Sequence, residues 1–362
     1  MKTLLVVTDH IGQDGTGRFL TYLVNELTKT NQVKVKFLIF HRDESAFNSY
    51  LDKCVEVIYL DLSKRIRYSL LRIVKTIIGI KPDYCLYGYT QLLWLGFFTS
   101  YMHRNGIKVY FRDTIIPSLY HADENRVLTW FNKMAYQQFD TIVAQSVDMR
   151  YDLITNWGCD PRKVILINNP VKVDEVNSKA SKVCPIELID KTIFTFVAAG
   201  RLDSQKGYDI VISRMAAMKD KLSFRLFILG NGHLFEQIKQ LIDINGLSDY
   251  VKLLGFKKNA TTYIKHADAL LLSSRYEGFP NVVLEALALG KPVFTNNCPG
   301  GINEIIKDGI NGFTCNFEDQ IAFEEGLCNF LNYQFDSSTI ISDTRQRYDA
   351  SIIMQKYQNI FS

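Results

Sequence analysis

What most constrains this chain is a twice-repeated alternation of short apolar runs with longer helical stretches. In the first half the runs are Lys2–Thr8, Val33–Phe40, Val55–Asp61, Tyr84–Tyr89, Lys108–Asp113 and Thr141–Ser146, and Val164–Val171 closes the series. In the second half they are Thr192–Gly200, Phe224–Gly230, Val251–Phe256, Ala269–Ser274, Pro292–Asn296 and Gly312–Asn316. Helices such as Gly207–Lys219, Leu234–Asn245 and Asn281–Leu289 separate them. Strands this apolar must be covered on both faces, and helices alternating with them imply a parallel sheet between helical layers. The pattern therefore predicts an α/β chain of two Rossmann-like domains, expected to face each other across a cleft. A length of 362 residues also asks for two domains. Asn169-Pro170 is a turn signal, so the first domain is read as 1–171, a polar linker as 172–191 and the second domain as 192–343. In the remaining segment, 344–362, Thr344–Phe361 has the pattern of an amphipathic helix that can cross back to the first domain.

Composition enters by what it excludes. A hydrophobic fraction of 47% with 22% charged residues belongs to a folded chain, not a disordered one. The seven cysteines are scattered, odd in number and never spaced Cys-x-x-Cys, which favours buried thiols in a reducing compartment over disulfides or zinc. No run of about 18 apolar residues occurs, and Asp9 interrupts the first apolar run. The expected location is cytoplasmic, either free or peripheral on the cytoplasmic face of the inner membrane.

The charge is uneven. Residues 1–172 carry 22 Lys and Arg against 16 Asp and Glu, a net +6, and the remainder carries 20 against 22, a net −2. The first half is thus expected to face something anionic. Within Lys64–Lys81, the residues Ile66, Leu70, Ile73, Val74 and Ile77 fall at helical spacing, while Lys64, Arg65, Arg67, Arg72 and Lys75 supply charge. This fits an interfacial helix on anionic lipid. It equally fits a helix packed on the first sheet with a basic outer face. The net +6 tips the expectation to an anionic membrane surface. Nucleic acid is not expected, because the total charge is modest and no basic-aromatic motif is present.

Three turns concentrate chemistry. In the segment from Ser273 to Pro292, a buried strand ends near Ser274, Glu277 and Gly278 lie in a turn, and a helix begins near Pro280. The start of that helix is an anion site suited to a diphosphate. Glu277 and Glu285 flank it, and like charges cannot both serve a phosphate, so they read as acceptors for hydroxyls on either side. In Ala199-Gly200-Arg201-Leu-Asp-Ser-Gln-Lys206-Gly207, a strand ends at Gly200 and the following turn presents two cations before a helix. These cations can neutralise a diphosphate in place of a metal, and no Asp-x-Asp exists to hold one. The third turn, Asp9-His-Ile-Gly12-Gln-Asp-Gly15-Thr-Gly17-Arg18, is glycine-rich and lets backbone approach a phosphate or sugar. It matches neither the dinucleotide fingerprint nor the P-loop.

With Gly-Arg-Leu-x-x-x-Lys-Gly at 200–207, Gly230-Asn231-Gly232, and Glu277 and Glu285 separated by seven residues, the chain resembles glycosyltransferase family 4. The resemblance implies the GT-B fold and transfer with retained anomeric configuration. It further implies an acceptor-binding first domain and a second domain that binds a nucleotide diphosphate-sugar. By it, Glu285 holds the ribose, Glu277 contacts donor-sugar hydroxyls, and Arg201 and Lys206 bind the diphosphate. Backbone N–H groups of Gly278, Phe279 and Asn281 would hold the phosphate, with Gly232 also at the donor, and Gly15 and Gly17 would line the loop that closes over it. The Glu277-Gly-Phe-Pro-Asn variant is similar to enzymes of bacterial polysaccharide and glycan assembly. That implies a UDP-linked hexose or N-acetylhexosamine, a glycan or lipid-linked acceptor, and no metal cofactor. One departure stands out. Many members carry a His after the fifth strand of the first domain, where this chain has Tyr110-Phe111-Arg112-Asp113. Asp113, Arg112 or His121 takes that place, and Asp113 is the one counted with the catalytic residues. A sugar-nucleotide epimerase or phosphorylase of the same fold, or a non-catalytic sugar-nucleotide-binding subunit, are the competing expectations.

Overall fold

The computed structural model describes residues 1–11, 15–30, 32–41, 51–62, 66–180, 182–190, 192–219 and 224–361. They divide into two units, Met1–Pro170 with the C-terminal stretch from Ser351, and Val171–Ala350.

In chain order the first unit holds β1 (Lys2–Thr8), α1 (Gly15–Lys29), β2 (Val33–Ile39), β3 (Glu56–Tyr59), α2 (Leu70–Ile80), β4 (Tyr84–Tyr87), α3 (Thr99–Arg104), β5 (Lys108–Arg112), α4 (Pro117–Tyr120), α5 (Arg126–Gln137), β6 (Thr141–Ala144), α6 (Val147–Thr155) and β7 (Val164–Leu166). A nine-residue 3-10 helix, Thr90–Phe98, follows β4. The strands pair in the order β3-β2-β1-β4-β5-β6-β7, each parallel to its neighbours. Leu4, Leu5, Val6 and Val7 of β1 are all fully buried, as a central strand covered on both faces requires. Each such side chain contributes about 1.5–3 kcal/mol by leaving water.

The second unit holds α7 (Val173–Lys179), β8 (Phe194–Ala199), α8 (Tyr208–Met218), β9 (Phe224–Leu229), α9 (Phe235–Ile244), β10 (Val251–Gly255), α10 (Ala260–His266), β11 (Ala269–Leu272), α11 (Asn281–Ala288), β12 (Val293–Asn296), α12 (Ile302–Ile305), β13 (Gly312–Cys315), α13 (Gln320–Asn332) and α14 (Ser337–Tyr348). Its parallel sheet runs β10-β9-β8-β11-β12-β13. Successive strand residues point to opposite faces. In β11, Leu270 and Leu272 join one core and Ala269 and Leu271 the other. In each unit the chain reverses direction across the sheet between its first and fourth strands, where α/β sheets place their ligand sites.

Two expectations change on contact with the structure. The described residues of the polar stretch, 172–180 and 182–190, are folded into the second unit, with Val173, Ala180 and Leu188 in its core and the Lys172–Glu175 and Lys179–Glu175 pairs outside. The helix expected over Thr344–Phe361 is two helices, α14 and α15 (Ala350–Phe361). They break at Asp349 because Val171 takes the adjoining backbone groups. The Val171 N–H donates to Tyr348 O at 2.9 Å, and the Ala350 N–H donates to Val171 O at 3.0 Å. Beyond the break, Ile353, Met354, Tyr357 and Phe361 are buried in the first unit's core. Among the described residues no helix is long and apolar enough to cross a membrane, and all seven cysteines are free thiols.

Candidate active site

The second unit brings two of the three sequence turns together at the C-terminal ends of β8 and β11. After β8 the chain forms a 3-10 turn, Ser204–Lys206, capped by Asp203, whose carboxylate accepts the Lys206 N–H at 3.3 Å. Gly207 follows with φ of 60°, and a Cβ there would lie 2.2 Å from the Ser273 carbonyl oxygen, so only glycine lets the two turns touch. Several bonds then lace them. The Ser273 hydroxyl donates to Lys206 O at 2.7 Å, the Arg275 N–H to Gln205 O at 2.8 Å, and the Gln205 amide to Tyr276 O at 3.0 Å.

Glu277 is the centre of this lacing. It is only 6% exposed, and one carboxylate oxygen, Oε1, accepts from both Lys206 Nζ and Ser274 Oγ, each at 2.6 Å. Ser274 is held in turn by Asn296, whose amide donates to Ser274 O at 3.0 Å while its Oδ1 accepts the Phe317 N–H at 2.9 Å. A buried carboxylate persists only when charge and hydrogen bonds compensate its lost hydration. Here a cation and a hydroxyl do so from one side. Burial, together with Glu277 and Asp203, pushes the Tyr208 hydroxyl well above its ordinary range, so it stays protonated. Ser274, Asn296 and Tyr208 escaped the sequence reading, because nothing in their spacing marks them until β8, β11 and β12 stand side by side.

Ser274→Ala removes one hydrogen bond to an ionised group, a loss of about 1.5–3 kcal/mol. The melting temperature should fall by roughly 5 °C. Ser274→Thr, which keeps the hydroxyl, should recover most of it. A melting curve unchanged in Ser274→Ala would show that Glu277 does not depend on this contact.

The other expected residues take varied positions. The Arg201 side chain is 75% exposed, with Nη2 3.4 Å from Asp203 Oδ2, so its charge stands in solvent beside the turn. Gly278 and Phe279 are buried, and Phe279 packs edge-on to Tyr348 at 5.5 Å. Asn281 opens α11, an eight-residue helix with Pro280 at its N-cap and no acidic residue in its first turn. That helix end is electrostatically open to an anion. Glu285 is half-buried on α11. Gly232 has a packing reason for being glycine, since a Cβ there would lie 2.2 Å from Leu202 O.

In the first unit the sequence expectations fare differently. Asp113, expected among the catalytic groups, is fully buried. It accepts from Tyr136 Oη at 2.5 Å, the Thr114 N–H at 2.8 Å and Thr90 Oγ1 at 3.1 Å. Burial pushes its carboxyl up, and these three donors pull against that. It is an interior brace between β5, α5 and the 3-10 helix, out of reach of a substrate in this conformation. Arg112 is buried as well, donating Nη2 to Asn169 Oδ1 at 2.7 Å and lying 3.8 Å over the Phe19 ring. His121 is buried against Glu124, Nδ1 to Oε1 at 2.8 Å. None of the three reaches the surface to replace the family's His. Among the described residues, the half-exposed ionisable groups at the C-terminal ends of β1 and β2 are instead Asp9, His10 and His41, with His41 Nδ1 2.6 Å from Asp9 Oδ1. Burial pushes the Asp9 carboxyl up, but the two histidines outweigh it and hold it below the ordinary carboxylate value. Gly15 begins α1 and Gly17 is buried two residues on, while Gly12 of the same loop lies outside the described residues.

The Lys64–Lys81 reading also changes. Lys64 and Arg65 lie outside the described residues. In α2, Ile73, Val74 and Ile77 of the apolar stripe are buried in the first core, which leaves Leu71, Arg72 and Lys75 outward. The stripe expected to enter lipid is thus occupied by the sheet, and only the basic face remains.

Comparison with known proteins finds a family model for each half of the chain. A family model described as Glycosyltransferase Family 4 matches residues 13–175, and one described as Glycosyl transferases group 1 matches residues 184–348. A Campylobacter jejuni protein, N-acetylgalactosamine-N,N'-diacetylbacillosaminyl-diphospho-undecaprenol 4-alpha-N-acetylgalactosaminyltransferase, is 28% identical over 233 residues, 64% of this chain and 62% of that one. The lipopolysaccharide 1,6-galactosyltransferase of Salmonella typhimurium is 27% identical over 214 residues, 57% of each chain. The chain spans about half to three-fifths of the length of the curated relatives it matches. Among solved structures, Anabaena HepE in complex with UDP and glucose superposes with a TM-score of 0.80 at 19% identity, covering 99% of both chains. The apo form of the lipopolysaccharide outer core galactosyltransferase WaaB gives 0.77 at 17% identity, covering 99% of this chain and 98% of that one. At such identities the superpositions establish the GT-B fold and nothing finer.

Proposed function

Since the chain belongs to the group 1 and family 4 glycosyltransferases, we propose that it moves a hexose or N-acetylhexosamine from a UDP-linked donor to a hydroxyl of a glycan or lipid-linked acceptor. The observation that carries this reading is the paired turn of the second unit. Two cations, Arg201 and Lys206, stand with an anion-binding helix start beside a buried carboxylate that has one oxygen already satisfied. The names of similar proteins support the substrate classes: a diphospho-undecaprenol and a lipopolysaccharide acceptor, and UDP with glucose in HepE.

In the proposed reaction the bond between the sugar's anomeric carbon and the diphosphate breaks. Arg201, Lys206 and the first N–H groups of α11 stabilise the charge that develops on the leaving diphosphate. Glu277 accepts hydrogen bonds from sugar hydroxyls through Oε2, and Glu285 accepts from the ribose. The acceptor hydroxyl attacks the face the diphosphate leaves, its proton passes to the departing phosphate, and configuration is retained. The donor site belongs to the second unit and acceptor recognition to the first. The chemistry asks for no metal, because two cations and a helix end already oppose the diphosphate charge. The basic outer face of α2 is directed to an anionic membrane surface.

A thermal-shift series with UDP, GDP, ADP and their sugar conjugates, each with and without EDTA, tests the reading. Ligand at about 100 times its Kd stabilises the folded state by about 2.7 kcal/mol. The expected result is a rise with one nucleotide class that EDTA leaves unchanged and Arg201→Ala abolishes. Arg201 is mostly exposed, so that variant should melt like wild type without nucleotide. No rise with any nucleotide would remove the donor-site assignment.

A further inference from the structure

We propose that an aromatic ridge on the first unit inserts into the headgroup region of an anionic phospholipid bilayer. The 3-10 helix Thr90–Phe98 contains no charged residue and lies against α5. Gly96 allows the close crossing, since a Cβ there would be 2.5 Å from Ala135 O. Leu92, Leu93 and Leu95 turn inward and are buried, while Trp94 and Phe97 turn outward at 37% and 42% exposure. On α5, Trp130 and Phe131 are 56% and 44% exposed. Phe131 meets Phe97 edge-on at 6.4 Å and Trp130 at 5.0 Å, so these three rings form one continuous cluster.

The polar capacity of the ridge is turned inward. Trp94 Nε1 donates to Asn132 Oδ1 at 2.7 Å, and Asn132 donates to Glu124 Oε2 at 2.7 Å. Glu124, just before α5, closes onto His121, which leaves its neighbour Asp123 as the exposed acid at that end. What these rings turn outward is mostly aromatic carbon, in a patch of the kind monomeric proteins seldom leave bare. A protein partner would be met by about one hydrogen bond per 100–200 Å², for which this face offers little. A bilayer surface asks instead for amphipathic rings with cations beside them. Arg126 is exposed on α5, and α2, which touches the same 3-10 helix, adds exposed Arg72 and Lys75. The net +6 of residues 1–172, against −2 for the rest, has the sign that anionic headgroups select.

The proposal rests on the membrane reading of α2 but changes its physics, from charge alone to charge plus insertion. Flotation with vesicles of phosphatidylcholine and phosphatidylglycerol separates the two. At about 1 M NaCl the Debye length is only about 3 Å, so binding through charge is lost and binding through inserted rings remains. Wild type should keep a salt-resistant bound fraction. The double variant Trp130→Ser with Phe131→Ser should lose that fraction roughly tenfold, while Arg72→Gln with Lys75→Gln lowers only the low-salt binding. Brominated lipid should quench Trp94 and Trp130 but not buried Trp157. Binding that is wholly salt-sensitive, or a salt-resistant fraction unmoved by the serine pair, would overturn the ridge and leave the α2 reading standing. Absence of flotation at any salt would overturn both. Self-association in light scattering that the serine pair disperses would assign the ridge to a second copy of the chain instead.

Discussion

Glu277→Gln is expected to lower sugar-transfer turnover by roughly ten- to a hundredfold while the protein folds and binds nucleotide. The substitution conserves shape, and a glutamine oxygen can still accept from Ser274 and Lys206 in place of Oε1. What it exchanges is the opposite side of the group, where a carboxylate oxygen would accept from sugar hydroxyls and an amide would present donors. A hydrogen bond to an ionised partner contributes about 1.5–3 kcal/mol, and each 1.4 kcal/mol is tenfold in rate. The loss therefore falls between about one and two powers of ten. Removing the negative charge also weakens the hold on Lys206 from an ion pair to a neutral hydrogen bond, so the UDP-induced rise in melting temperature should be preserved or enlarged. Full turnover in Glu277→Gln would sink the assignment. Loss of turnover together with loss of the nucleotide shift would move Glu277 from the sugar to the nucleotide.

Lys206→Ala is expected to fail twice, in stability and in donor binding. The Lys206 and Glu277 side chains are only 15% and 8% exposed, so deleting the cation strands a carboxylate that water barely reaches. Breaking a fully buried pair from one side costs about 3–5 kcal/mol. The residual exposure and the Ser274 bond place this case lower, at about 2–3 kcal/mol, or roughly 5–10 °C in melting temperature. The double variant Lys206→Ala with Glu277→Gln removes the stranded charge and should regain most of that stability with none of the activity. This is the non-additivity that directly coupled groups show. Simple addition of the two single effects on melting temperature would mean that the pair carries no coupling. The nucleotide shift should be absent in both Lys206 variants.

How much of this was legible in advance differs between the two units. In the second, Arg201, Lys206, Glu277 and the start of α11 were readable because they lie at strand-to-helix turns, which apolar runs and Gly-Pro punctuation reveal locally. In the first, the same reasoning placed Asp113 at the end of β5 but could not see that Thr90 and Tyr136 would enclose it. Nor could it see that Asp9, His10 and His41 would meet, since His41 comes from the neighbouring strand, 32 residues away. The stripe on α2 shows the same limit. Helical spacing proves that Ile73, Val74 and Ile77 share a face, and says nothing about whether lipid or a sheet covers it.

The sequence by itself determined the two parallel-sheet units, the turns that carry charge and the family, because periodicity and turn chemistry act over a few residues. Only the tertiary structure decided which charges are buried and paired. Lys206 and Glu277 are 71 residues apart along the chain and 2.6 Å apart in space. Whether a carboxylate is a solvated surface group or a compensated interior one depends on what packs around it. That is settled by the side-by-side placement of β8, β11 and β12, which no local pattern encodes.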